Sequence, residues 1–198
     1  MQSLSDCFEE LEKDLSYHPP RIGAHSDMPF AIFVYPPAVE FSLRKHLRLL
    51  SIKLAQNHGR KVTFISISRL VWDTLKYFGL NDVYKTESLH GLIFAQQHIH
   101  QLITSPDFKP ITNSILERLS SLSSDKDVVF LVRAGGFAPR ICRASWLLES
   151  LHNKTSVPVI FFYPGRVEAG TDLRFFDLPA KGGAGAYNYR VKLYGVIT

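Results

Sequence analysis

Val157-Pro158-Val159-Ile160-Phe161-Phe162-Tyr163 is an unbroken apolar run that stops at Pro164-Gly165. Its continuity, its β-branched and aromatic content and the breakers at its end read as a strand buried on both faces. Such a strand belongs in the middle of a mostly parallel sheet. Pro-Gly at its carboxyl end then falls where open α/β sheets place their binding crevices. A short charged turn follows, then Leu173-Arg174-Phe175-Phe176, a Gly-rich loop and Tyr187-Asn188-Tyr189-Arg190-Val191. Leu173–Phe176 and Tyr189–Ile197 are expected as strands closing the sheet.

Two further runs share this character: Phe30-Ala31-Ile32-Phe33-Val34-Tyr35, ended by Pro36-Pro37, and Val128-Val129-Phe130-Leu131-Val132, ended by Arg133-Ala134-Gly135-Gly136. Lys61 to Ile67 reads as another strand, with Ser68 as cap of the next helix, which ends at Gly79. Leu4, Phe8, Leu11 and Leu15 recur at helical spacing, an amphipathic helix over about residues 1–17. The first strand leads into a helix reaching Asn57, closed by Gly59. Two helices are expected at about 87–104 and 110–123, and one from Pro139 to His152. Strands alternating with helices give an α/β fold: a three-layer sandwich with a mostly parallel central sheet, P-loop-like or Rossmann-like but without a Walker loop. A helical insert lies between the second and third strands. The 198 residues suit one domain, with its sheet-containing body over 29–196.

The chain is 45% hydrophobic, enough for a core without staples. Its two cysteines, Cys7 and Cys142, lie far apart in helical contexts, which argues against a disulfide framework and fits a reducing cytoplasm. The start Met1-Gln2-Ser3-Leu4 has no secretory pattern, and no apolar run reaches the length of a membrane span. A net charge of +5 permits contact with nucleic acid or an acidic partner without demanding either.

Tests for chemistry point to no catalytic group. A phosphate loop after the first strand would need glycines and Gly-Lys-Ser/Thr; Tyr35-Pro36-Pro37-Ala38-Val39-Glu40-Phe41 instead removes two backbone donors. The run Lys181-Gly182-Gly183-Ala184-Gly185-Ala186 precedes a strand, not the helix that a phosphate site requires, and reads as a connection. Arg133-Ala134-Gly135-Gly136 is better placed. With Arg140 and Gly165 these residues are candidates for holding an anion, by amides gathered into a nest; the competing reading is a turn that needs glycine and an Arg bonded to loop carbonyls. His98 and His100, two positions apart on a helix, diverge by about 160° and cannot share an ion, so no metal site is expected. Cys142 inside a helix reads as an inert packed thiol, and no Ser sits in a nucleophile elbow.

Arg44, Lys45, Arg48 and Lys53 form a basic helix face opposite Leu43, Leu47, Leu50 and Leu54, with Glu40 placed to pair with Arg44. Nucleic-acid contact there competes with a solvated face, because aromatic interleaving for base stacking is missing. Arg143 and Trp146, on the side of their helix away from its apolar arc, have the composition of a partner-binding spot; packing against a neighbouring helix accounts for them equally well.

These residues together resemble the BrxB family of BREX antiphage defence systems. The likeness runs from about Leu4 to Val196. It is carried by the strand ending Tyr35-Pro36-Pro37 with Glu40 and Arg44 after it, by Val128–Val132 with its Gly turn, and by Leu147-Leu148. Its most specific part is Tyr163-Pro164-Gly165, then Arg174 and Phe176, then Tyr189-Arg190. The family tends to a doubled Tyr where this chain has Asn188-Tyr189, and to a shorter loop before it. The resemblance implies a cytoplasmic, non-enzymatic accessory subunit without a cofactor. It would work beside a PglZ-type partner (a protein similar to alkaline phosphatases), a DNA methyltransferase and a large ATPase, in machinery that methylates host DNA and blocks phage replication. It carries over no catalytic residues.

Overall fold

A computed structural model describes residues 3–23, 29–139, 141–168, 172–176 and 191–195. Among the described residues six strands form the sheet: β1 (Phe30–Tyr35), β2 (Lys61–Ser66), β3 (Asp127–Val132), β4 (Val159–Glu168), β5 (Asp172–Phe175) and β6 (Lys192–Gly195). The order is β2-β3-β4-β1-β6, every neighbouring pair on that path parallel, while β5 pairs antiparallel with β4. This is the expected α/β class with a mostly parallel central sheet. Its order is not the 3-2-1-4-5-6 of a Rossmann sheet. The apolar run at 157–163 does supply a central strand, between β3 and β1.

The helices are α1 (Leu4–Ser16), α2 (Glu40–His58), α3 (Ile67–Phe78), α4 (Leu80–His90), α5 (Leu92–Thr104), α6 (Ile111–Leu119) and α7 (Ala144–Leu151). Alternating strand residues point to opposite faces, and two cores result. Ile32, Val34, Val129, Leu131 and Phe161 face α3 to α7. Ala31, Phe33, Phe130, Ile160 and Phe162 face α1 and α2. Phe8, Phe33, Phe130 and Phe162 form a chain of ring contacts there, with centroids 4.6–5.2 Å apart between successive rings.

Several boundaries differ from the sequence reading, each for a local reason. Ser66, not Ser68, caps α3; its hydroxyl accepts from the Arg69 amide at 3.3 Å. The stretch before β3 holds three helices, because Gly79 and Gly91 take positive φ and start new ones. β4 does not stop at Pro164-Gly165 but runs on to Glu168, since its far half leaves the parallel sheet and pairs with β5. The proline sits at the end of the register with β1, opposite Tyr35. The last long helix starts at Ala144, not Pro139. Ala138 is extended, as a residue before proline prefers, and Arg143 is extended as well. Cys142 therefore lies in the turn before α7, not within a helix. The expected strand from Tyr189 begins within the described residues only at Lys192; Arg140, the 181–186 run, Tyr189 and Arg190 lie outside those residues.

Two buried polar clasps tie this layering together. Arg60, fully buried at the start of β2, donates to the carbonyls of Tyr17 (2.9 Å) and Ser124 (3.4 Å). Asp14 on α1 accepts from the Tyr194 hydroxyl at 2.7 Å and from the Lys192 ammonium, both on β6. Burial, and then the bond to Asp14, holds the Tyr194 phenol protonated far above its usual range. Asp14→Ala leaves that buried hydroxyl without its acceptor and should cost about 1.5–3 kcal/mol of stability, read as a lowered urea midpoint. Asp14→Asn, which keeps an acceptor, should cost less.

Candidate functional site

The carboxyl ends of β1, β2, β3 and β4 lie on one edge of the sheet, where such folds place ligands. The bend after β1 occupies the position of a phosphate loop. Pro36 and Pro37 have no N–H, and the Val39 and Glu40 amides are committed to the carbonyls of Pro36 and Pro37 within a 3-10 turn. The bend instead displays a side-chain pair. The buried Tyr35 hydroxyl donates to the Glu40 carboxylate, and burial followed by that bond raises the phenol far above its usual range. The expected Glu40–Arg44 pair is thus replaced: Glu40 is held by Tyr35 across the bend.

At the end of β3, Arg133 takes the left-handed conformation, φ 58 and ψ 47. Its carbonyl accepts from the Ser68 hydroxyl (2.7 Å), the Ser68 amide (3.2 Å) and the Gly136 amide (3.4 Å). Ala134–Phe137 form a 3-10 turn. A Cβ on Gly136 would lie 2.7 Å from the Ser68 Cα, so glycine is required there by the seam against α3. A Cβ on Gly165 would fall 2.0 Å from the Arg174 carbonyl oxygen, so glycine is required by the β4–β5 pairing. Gly135 faces the Phe176 ring, with 3.5 Å from an ideal Cβ to the ring. The anion candidates therefore divide: Gly135 and Gly165 gather around β5, while the Arg133 side chain turns to the α2 face.

On that face Arg133 meets the basic helix. Tyr35, Glu40, Arg44, Arg48, Phe64 and Arg133 line a cleft of about 380 Å³, floored by Leu43, Leu47, Val132 and Phe162. Arg44 and Arg48 stand one turn apart on α2, on the face that continues from Glu40. Lys45 is exposed but lies outside the cleft. The sequence reading found no aromatic interleaving for base stacking along the basic helix, yet exposed rings stand beside it. Phe64 is 44% exposed, its ring set edge-on to Phe130 at 5.6 Å, and Phe41 is 78% exposed under the Arg44 guanidinium at 5.0 Å. Phe41 was open to recognition three positions before Arg44; Phe64 was not, because its exposure depends on how far α2 covers β2.

The remaining candidates have structural settings. The Tyr163 hydroxyl donates to the Leu173 carbonyl (3.3 Å), the Phe176 amide donates to the Pro164 carbonyl (3.0 Å), and Phe176 itself takes φ 50. Arg174 is half-buried and opposite Arg166 across the hairpin. Tyr163-Pro164-Gly165 with Leu173–Phe176 is thus a single β4–β5 clasp. Arg143 is exposed just ahead of α7, and Trp146 is half-buried against the main core. His98 meets the Thr86 hydroxyl (3.1 Å) and His100 the Ile141 carbonyl (2.7 Å). Among the described residues no group of three or more His, Cys, Asp or Glu could hold a metal ion. Among the same residues no helix is long and apolar enough to cross a membrane.

Residues 63–193, from β2 to β6, match the family described as "BREX protein BrxB". The chain belongs to the BrxB family. A protein named BREX protein BrxB from Bacillus cereus (strain H3081.97) is 23% identical over 159 residues, 78% of this chain and 79% of that one. No solved structure matches. The family match spans the Arg133 turn and the β4–β5 clasp, whereas Tyr35, Arg44 and Arg48 precede it.

Gly165→Ala should cost about 3 kcal/mol, the upper end of overpacking, and Gly136→Ala somewhat less; chemical denaturation measures both. Burial pushes the Cys142 thiol up to about 12 and also raises Cys7. Neither should react with a disulfide reagent at pH 8 in the native protein, and both should in guanidinium. The native state holds the Cys142 proton more tightly than the unfolded chain. That stabilisation is complete below the ordinary thiol value of 9.0 and is lost as pH rises from there toward 12.

Proposed function

We propose that this protein is a non-catalytic adaptor of a BREX antiphage defence system, acting by holding a larger component of the PglZ type. One observation carries the reading. The turn between α4 and α5 exposes Leu89, Leu92, Ile93 and Phe94, each more than half accessible. Tyr84 is exposed on α4 as well. A cluster of large apolar side chains at the tip of a helical hairpin is a protein-contact surface by composition and position. Gly91, at φ 86, forces the sharp reversal that brings Leu89 and Leu92 to the same tip. The bend after β1, with its amides missing or committed, supports a role without nucleotide turnover. Arg143, exposed ahead of α7, is a further candidate contact, with Trp146 half-buried one turn on.

Tagged protein should co-purify the PglZ-type component of its own locus. Leu89→Glu with Ile93→Glu should weaken that capture at least tenfold, since central contacts contribute about 2 kcal/mol or more. Stability should stay within about 0.5 kcal/mol, because both side chains are exposed. Wild-type protein that recovers no BREX component, or a double variant that recovers it undiminished, defeats the reading. So does light scattering that finds the hairpin sealed against a second copy of the chain.

A further inference from the structure

We propose that the cleft between α2 and the carboxyl ends of β2 and β3 binds a nucleotide unit. Arg44, Arg48 and Arg133 grip its phosphate, and its base lies on Phe64. Three guanidinium groups line this cleft against one carboxylate, and that carboxylate, Glu40, is bonded to the Tyr35 hydroxyl. Among the described residues, none of the three arginines has an acidic group within ion-pair distance. Guanidinium forks suit phosphate oxygens. The floor is apolar, and Phe64 is exposed beside it, with the Phe130 ring packed at right angles to its own. A basic rim over an aromatic platform is the pattern that grips a sugar-phosphate and stacks a base. The volume of about 380 Å³ lies at the small end of ligand clefts, enough for one ring and one phosphate.

Arg133 adds an independent argument. A left-handed residue between a strand and a Gly-Gly turn is most cheaply a glycine. The chain carries an arginine there, and that arginine lines the cleft. Strain of this kind concentrates where a side chain must be aimed. Phe41, stacked under Arg44 beside the cleft, would extend the same surface to a second base if the nucleotide is part of a strand. The site lies on the α2 face, opposite the α4–α5 hairpin, so it stands apart from the adaptor reading.

Calorimetry with dTMP, AMP, inorganic phosphate and a short single-stranded oligo-thymidylate tests the site. The nucleotides should bind about tenfold tighter than phosphate, from stacking on Phe64. Phe64→Ala should remove that difference and leave phosphate binding in place. Arg48→Glu and Arg133→Gly should each weaken nucleotide binding about tenfold or more. Arg133→Gly fits the left-handed backbone, so its melting temperature should hold or rise, which separates lost binding from lost folding. An oligonucleotide that binds tighter than dTMP, with affinity falling steeply with salt, assigns the site to single strands; equal affinity assigns it to free nucleotides. The proposal is overturned by no nucleotide binding at millimolar concentration. It is equally overturned by binding that survives both arginine changes, or by phosphate binding as tightly as dTMP.

Discussion

The carbonyl of Arg133 gathers three hydrogen bonds, from the Ser68 amide, the Ser68 hydroxyl and the Gly136 amide. Few single atoms in this fold organise as much. The bonds to Ser68 tie the carboxyl end of β3 to the first turn of α3, across the seam where Gly136 has no room for a Cβ. They hold the turn only if Arg133 adopts its left-handed conformation, at about 1–2 kcal/mol for a residue with a Cβ. The same rotation decides where its side chain goes. One backbone constraint thus closes the core on the α3 side and places a cation on the α2 side.

That two-sidedness follows from an unequal covering of the sheet. Among the described residues five α-helices pack on one face and two on the other. On the crowded face α4 and α5 project their joining turn with apolar side chains uncovered. On the sparse face α1 is fastened to β6 through Asp14, and α2 is drawn to the start of β2 by the short Gly59-Arg60 connection. The other end of α2 is set by β1, which β3 and β4 separate from β2 in the sheet. The cleft opens between these anchors, over the part of β2 that neither helix reaches. The cleft is therefore a consequence of strand order: β1 inserted beside β4 separates the helix that follows it from the edge strand that comes next.

The buried strands were legible in the sequence because burial on both faces leaves a continuous apolar run, and β1, β3 and β4 have it. The Leu43, Leu47, Leu50 and Leu54 stripe gave α2 for the same kind of reason, and Gly59 in the left-handed conformation gave its end. Where the reading failed, a long-range partner had overridden a local sign. Pro164-Gly165 is a breaker by propensity, yet the strand passes through it because β5 comes back to pair with the far side. Pro139 looks like a helix start, but the extended backbone of Ala138 and Arg143 delays the helix to Ala144. The site was half legible. Arg133 and the Arg44–Arg48 face were each singled out alone, one as an anion turn and the other as a basic helix. Their meeting needs the parallel β2–β3–β4–β1 order, which no residue pattern encodes locally.

The bend after β1 and the cleft beside it use opposite chemistry for the same position in the fold. A backbone phosphate cradle works by aiming amides, and it needs glycines that let the chain approach the ligand. Here the prolines remove two amides, and the 3-10 turn commits those of Val39 and Glu40 to carbonyls. The prolines narrow the backbone choices of this turn, and that gives it a different use: it brings Tyr35 and Glu40 together at the first turn of α2. Arg44 and Arg48 then extend from a helix whose start is held by a buried phenol. A grip built from guanidinium side chains can hold a phosphate, but it differs from a loop that sets out a row of backbone donors along a triphosphate.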